Sequence, residues 1–148
     1  DWSSDVCSSD LLLLPSSFKE QLGDAIEEGF VLRPSLFGDC LDLYGMRDWQ
    51  AVQSKLGKLN PFKAENLMLI RRFNAGARMV RVDANGRLQI PKDLIEKSNL
   101  VKEVVITSVI DRMQIWDRSS KEIEDAKISE KELGEMLTAK LGDLDFIG

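Results

Sequence analysis

The chain has 148 residues, 43% of them hydrophobic and 30% charged, with a net charge of −5; that suits one soluble domain or two small halves sharing a core. It contains no histidine, which removes the commonest general base and transition-metal ligand, and its two cysteines, Cys7 and Cys40, make no disulfide framework. The longest apolar run, Leu11 to Leu14, falls far short of the ~20 residues of a membrane span, and the acidic start lacks the positive n-region of a secretory signal, so a cytoplasmic protein is expected.

The first eleven residues, Asp1-Trp2-Ser3-Ser4-Asp5-Val6-Cys7-Ser8-Ser9-Asp10-Leu11, are Ser/Asp-rich, carry no strand or helix period and abut a hydrophobic run abruptly. They resemble the in-frame translation of a common sequencing-library adapter. On that reading residues 1–11 are a non-native segment, Cys7 has no biological role, and the native first segment before Leu12 is missing. A strand at Leu12–Leu14 would then lack its hairpin partner and expose an apolar edge.

Further along, Trp49, Val52, Leu56 and Leu59 fall at helical spacing, and Pro61 is expected to open a second helix that carries Leu67 and Ile70. Met79 to Val82 reads as a strand. Asn85-Gly86 reads as a tight turn, because both residues tolerate positive φ. Arg87 to Ile90 reads as the returning strand, with Leu88 and Ile90 on one face and Arg87 and Gln89 on the other. Pro91 then suits the first turn of a short helix, Lys92 to Ser98, with Leu94 and Ile95 inward. Val104 to Ile110 is expected to be a buried strand, Asp111-Arg112 a turn, and Met113 to Trp116 the return. Ser129 and Glu132 make a capping-box pattern, and Leu133, Met136, Leu137 and Leu141 give the last helix an apolar stripe. That stripe suits packing on the body of the protein in preference to a neighbouring subunit.

The first third can be laid over this unit. Leu12, Leu14, Pro15, Phe18 and Glu20 match Leu88, Ile90, Pro91, Leu94 and Glu96 at a constant offset of 76. Asp39, Leu41, Leu43 and Tyr44 match Asp111, Met113, Ile115 and Trp116 at an offset of 72. The chain therefore reads as an internal duplication. Charge is uneven as well: residues 61–116 hold 10 basic and 6 acidic side chains, a net +4, whereas 1–60 and 117–148 carry −5 and −4. Phosphate binding needs a local positive surface, not a positive total.

Asp83-Ala84-Asn85-Gly86-Arg87, followed by Leu88-Gln89-Ile90-Pro91 and later Ile115-Trp116-Asp117, resembles the MraZ family. Its signature is a duplicated D-x-x-G-R loop, each copy leading into an apolar-x-apolar-Pro segment. The resemblance runs from about Leu12 to about Leu141. It implies an α+β, mainly β fold: two duplicated AbrB-like swapped-hairpin β-barrel halves with connecting and C-terminal helices. The division expected is 1–11 as adapter-like segment, 12–76 as a first, incomplete half with helices, 77–118 as the second half and 119–148 as a helical tail. It also implies a ring-like homo-oligomer that binds double-stranded promoter repeats at the nucleoid and represses the division and cell-wall gene cluster, its own gene included. One departure stands out. The offset of 76 puts the first-copy motif at Cys7-Ser8-Ser9-Asp10-Leu11, so one of the two expected DNA-reading loops is absent.

The chemistry of the remaining loop suits DNA. A two-stranded ribbon enters a major groove, and a tip ending in Gly86-Arg87 brings backbone and guanidinium together at a phosphate or at guanine O6/N7. Asp83 is expected to accept turn N–H groups or to steer Arg87. Arg71, Arg72, Arg78 and Arg81 lie close in sequence and are candidates for phosphate contacts. With Asn85 these make the candidate DNA-binding set. No cofactor, metal, membrane or small-molecule substrate is expected, and no enzymatic activity. Two other readings compete: a protein-interaction module whose barrel only oligomerises, and an AbrB-like antitoxin, against which the duplication argues.

Overall fold

Alternating apolar positions and two short proline-led helices decide most of the architecture. In the computed structural model, which describes residues 2–5, 11–101 and 103–142, they give eight strands and seven helices among the described residues. The elements are β1 (Trp2–Asp5), β2 (Leu11–Leu13), α1 (Ser16–Leu22), α2 (Ala25–Glu28), β3 (Phe30–Pro34), β4 (Cys40–Gly45), α3 (Met46–Leu56) and α4 (Ala64–Ala75). They continue as β5 (Arg78–Val80), β6 (Arg87–Gln89), α5 (Lys92–Lys97), β7 (Glu103–Val109), β8 (Arg112–Asp117), α6 (Arg118–Asp125) and α7 (Glu130–Leu141). The expected α+β fold is borne out. Its strands form a six-stranded sheet in the order β1-β7-β8-β4-β3-β5 and a two-stranded sheet, β2-β6, with every pairing antiparallel.

The register follows the sequence repeat. Leu12 faces Leu88, its equivalent at offset 76, and Asp42 faces Gln114, its equivalent at offset 72. β1 lies on β7 as β5 lies on β3: Ser4 faces Val104, Val80 faces Phe30, and Ser4 and Val80 are themselves 76 apart. Pro15 and Pro91 cap α1 and α5 with nearly the same backbone, φ −58°, ψ 145° and φ −54°, ψ 138°. The residue three places on, Phe18 or Leu94, is buried in each helix.

Burial explains why these segments hold together. Leu12, Leu14, Phe18, Leu88, Ile90 and Leu94 share one core with Phe30, Leu32, Leu41, Leu43, Ile106 and Ile115. Each such side chain removed from water contributes about 1.5–3 kcal/mol.

Four expectations need correction. The Leu12 strand is not an open apolar edge: β2 pairs with β6, and Leu12 is fully buried. Pro61 does not open the second helix, which starts at Ala64 after an extended Lys63, and Leu67 on it stays exposed. Ile110 is no strand residue; it takes a positive φ of 57° at the turn and is wholly exposed, and β8 begins at Arg112. Stretch 1–11, which carries no strand period, nevertheless supplies β1, because β7 offers backbone partners that ask little of side-chain pattern. Cys7 and its neighbours 6–10 lie outside the described residues.

The chain divides into two compact units, Asp1–Arg118 and Ser119–Gly148. In the second, Ser129 caps α7: its hydroxyl accepts from Glu132 N at 3.1 Å, while the Glu132 carboxylate accepts from Ser129 N at 3.3 Å. That is the capping box the sequence indicates. Among the described residues no helix is long and apolar enough to cross a membrane.

Candidate nucleic-acid interface

The loop between β5 and β6 is built around one carboxylate. Asp83 Oδ1 accepts from Asn85 N and from Arg87 N, both at 2.9 Å, and Oδ2 accepts from Arg87 Nε at 3.2 Å. The backbone closes beneath it, with Asp83 N donating to Arg87 O at 2.8 Å and Gly86 N donating to Asp83 O at 3.0 Å. The backbone bond from Arg87, ahead of the other contacts, pulls the Asp83 carboxyl below its usual range. Asp83 thus acts on the loop, accepting turn N–H groups and steering Arg87 together.

The expected tight turn is present, and one residue of it is left-handed. Gly86 alone in the loop has positive φ, +75°; Asn85 does not. The three residues 84–86 lie between a backbone-bonded Asp83 and Arg87, as in hairpins where a turn is followed by a left-handed glycine. Its positive φ is what favours glycine there; a methyl on Gly86 would meet Lys19 Nζ at 2.5 Å, a flexible side-chain end that can move aside.

The strands under the tip separate. Val82 faces Leu88 in an isolated bridge, but β5 pairs with β3 and β6 with β2, so the hairpin's two arms belong to different sheets. Leu14 N donates to Gly86 O at 3.0 Å, and Arg87 faces Leu13 across β2. A strand from the first third therefore braces the tip of the second copy, and α1 brings Lys19 beside it. Lys19 was missed in the sequence, because its position in the repeat matches Ile95 and no local pattern points across 67 residues.

Arg87 uses Nε on Asp83, and its side chain is 37% exposed. Its Nη1 and Nη2 have no hydrogen-bond partner among the described residues. The fold thus brings Asp83, Asn85, Gly86 and Arg87 together and adds Lys19. The other arginines stand elsewhere. Arg78 is paired with Asp93 of α5 at 3.2 Å and also reaches the Ala75 and Ala77 carbonyls. Arg81 donates to Glu27 O at 3.2 Å. Arg71 bonds back to Leu67 O in α4, and Arg72, also on α4, lines a cleft with Arg33. No group of three or more metal-ligating side chains gathers among the described residues.

The structure is thus an antiparallel α+β scaffold that carries an Asp-x-x-Gly-Arg tip ending in an arginine. The family model described as MraZ protein and as antitoxin-like matches residues 73–138. A protein of Flavobacterium psychrophilum is 38% identical over 95% of this chain and 91% of its own length. Relatives from Christiangramia forsetii, 40% identical over 93% of this chain and 88% of their own, and Clostridium tetani, 32% over 93% and 94%, are similar in the same way. Each is named transcriptional regulator MraZ. The chain belongs to the MraZ family, which is AbrB-like and a family of transcriptional regulators, not of enzymes.

Proposed function

We propose that this chain is a cytoplasmic, nucleoid-associated DNA-binding repressor. It acts on the division and cell-wall gene cluster, its own gene included, and Arg87 is its principal DNA contact. The observation that carries this reading is the use of Arg87. Asp83 holds Nε and the backbone, so the two Nη groups remain as a preoriented fork for a phosphate or a guanine edge. Lys19 adds a second cation beside Gly86. Arg71 and Arg72 are exposed on α4 and suit phosphate contacts, whereas Arg78 and Arg81 act chiefly in holding β5.

One such tip binds weakly alone, and several copies in a ring would act together on promoter repeats. Large apolar side chains left exposed near α4 support a homo-oligomer: Phe62 and Met68, with Phe37 between β3 and β4. In this reading residues 12–76 and 77–118 are the two halves of a duplicated barrel, and 119–148 its tail.

The test is a gel-shift titration on a fragment carrying the region upstream of the chain's own gene. Arg87→Ala weakens binding by about 1–3 kcal/mol, and affinity falls steeply with salt as counterions are released. Unchanged affinity in Arg87→Ala removes this residue from the interface. A flat salt slope favours a protein-interaction module instead.

A further inference from the structure

Arg33 sits where an apolar residue is expected. It lies in β3 between Leu32 and Pro34, is 6% exposed, and its Nε and Nη1 are fully buried without a hydrogen-bond partner. Its guanidinium lies 4.1 Å from the centre of the Phe73 ring. Phe73 in turn stacks on Trp49 at 5.8 Å, and Trp49 meets Tyr44 edge-on at 5.3 Å. A guanidinium stays protonated even when burial lowers its pKa, as it does here. Cation–π contact offsets only part of the cost of taking a guanidinium out of water with two of its donors unmet. A positive charge thus stands in the wall of the molecule with Nε and Nη1 unused, favoured by the carboxylate of Asp42, its register partner on β4, but not hydrogen-bonded to it.

That charge borders a cleft of about 670 Å³ whose other lining residues include two more cations, Arg72 and Lys97, both exposed. The lining contains no acidic residue, and Leu56, Leu59 and Leu69 supply much of the rest. The volume lies in the ordinary range for small-molecule sites, where an apolar wall and a few placed polar groups set the ligand. A bare phosphate or acetate would satisfy the cations and leave the leucines wet. A neutral hydrocarbon would cover the leucines and offer Arg33 no acceptor.

We propose that this cleft binds a small anionic amphiphile, a carboxylate or phosphate monoester on an apolar chain, with its head group on Arg33, Arg72 and Lys97. Ala75 and Gly76 in its lining lead into β5, and Gly76 lies so close that a methyl on it would stand 3.3 Å from Arg33 Nη2.

Isothermal titration calorimetry of the full chain with sodium octanoate and with octyl phosphate tests this, with octanol and acetate as half-ligands. At least one of the two amphiphiles binds once per chain, and at least tenfold tighter than either half-ligand; which one it is identifies the head group. Arg33→Met lowers that affinity at least tenfold. Should Arg33→Met fail to fold by circular dichroism, the double variant Arg72→Gln/Lys97→Gln, on exposed residues, carries the test with a loss of at least threefold. Octanol binding as tightly as the amphiphiles overturns the proposal, as does equal affinity in these variants or no uptake of either amphiphile. A smaller assembly in Arg33→Met with no amphiphile uptake overturns it in favour of a contact between copies.

Discussion

The two copies of the repeat agree inside the protein and disagree at its tips. Leu12 and Leu88, Leu14 and Ile90, Phe18 and Leu94 are all buried, and the prolines that start α1 and α5 share a backbone conformation. At the tips the second copy has Asp83 and Arg87, where the first has Cys7 and Leu11. The difference separates two kinds of constraint. Core positions of the two copies share one interior: Leu12 faces its own equivalent Leu88, while Leu41 and Leu43 face Ile115 and Met113, the equivalents of Leu43 and Leu41 in turn. The second tip depends on a carboxylate at Asp83 that gathers Asn85 N, Arg87 N and Arg87 Nε, a role the cysteine at the equivalent position of the first copy has no carboxylate to fill. Polar groups within the sheet divide likewise. Asp42 is buried and accepts from Arg112 Nη1 at 3.3 Å and Gln114 Nε2 at 3.0 Å, whereas its equivalent in the repeat is the neutral Gln114. The facing pair thus carries one charge, not two.

The core half of the comparison breaks most visibly. Leu12→Ala and Leu88→Ala should each destabilise the protein by about 2–5 kcal/mol, and by similar amounts, since each leaves a cavity against the other. Urea denaturation measures both; a large loss for one and none for the other would refute the equivalence of the copies. Asp42→Ala comes next, at about 2–3 kcal/mol, because it strips an acceptor from Arg112 and Gln114. The Arg112 side chain is 29% exposed, so water relieves part of the cost. The same denaturation curves read it, and a neutral result would show that Asp111, 3.0 Å from Arg112 Nε, suffices alone.

The tips are sharpened by restoring the missing motif. Cys7→Asp, Ser8→Ala, Ser9→Asn, Asp10→Gly and Leu11→Arg together copy the second tip into the first. DNA affinity should rise by roughly 1–3 kcal/mol, and the slope of log K against log salt should steepen by about 1 for each phosphate gained. Fluorescence anisotropy with a duplex reads both, and an unchanged affinity would mean that one tip in two does all the binding.

The smallest effect is in pH. Asp83 is bonded in the folded loop, chiefly by Arg87 N, so its pKa is lower than in the unfolded chain. A lowered folded pKa adds stability that is present above the ordinary carboxylate range near 3.8. That stability is lost as pH falls through the depressed value. Asp83→Asn should therefore lie below the parent in melting temperature at neutral pH and approach it at acid pH. A constant gap across the range would show that the charge on Asp83 is immaterial to the loop.

Local features were legible in the residues themselves. The Asp83–Arg87 loop, the burial of Leu88 and Ile90 against the exposure of Gln89, the short helix after Pro91 and the Ser129–Glu132 cap each depend on neighbours within a few positions. Backbone sterics and short hydrogen bonds decide such features. The repeat was legible too, because two sets of apolar residues at constant offsets need only counting. Tertiary structure alone decided which strands meet. β5 leaves its hairpin partner for β3, Leu14 braces Gly86 from 72 residues away, Lys19 arrives beside the tip, and Arg33 is buried against Phe73 of α4, 40 residues further on. An antiparallel strand presents the same backbone groups to any partner. The choice among partners therefore falls to the burial of side chains distant in sequence, and no window of the chain contains that information.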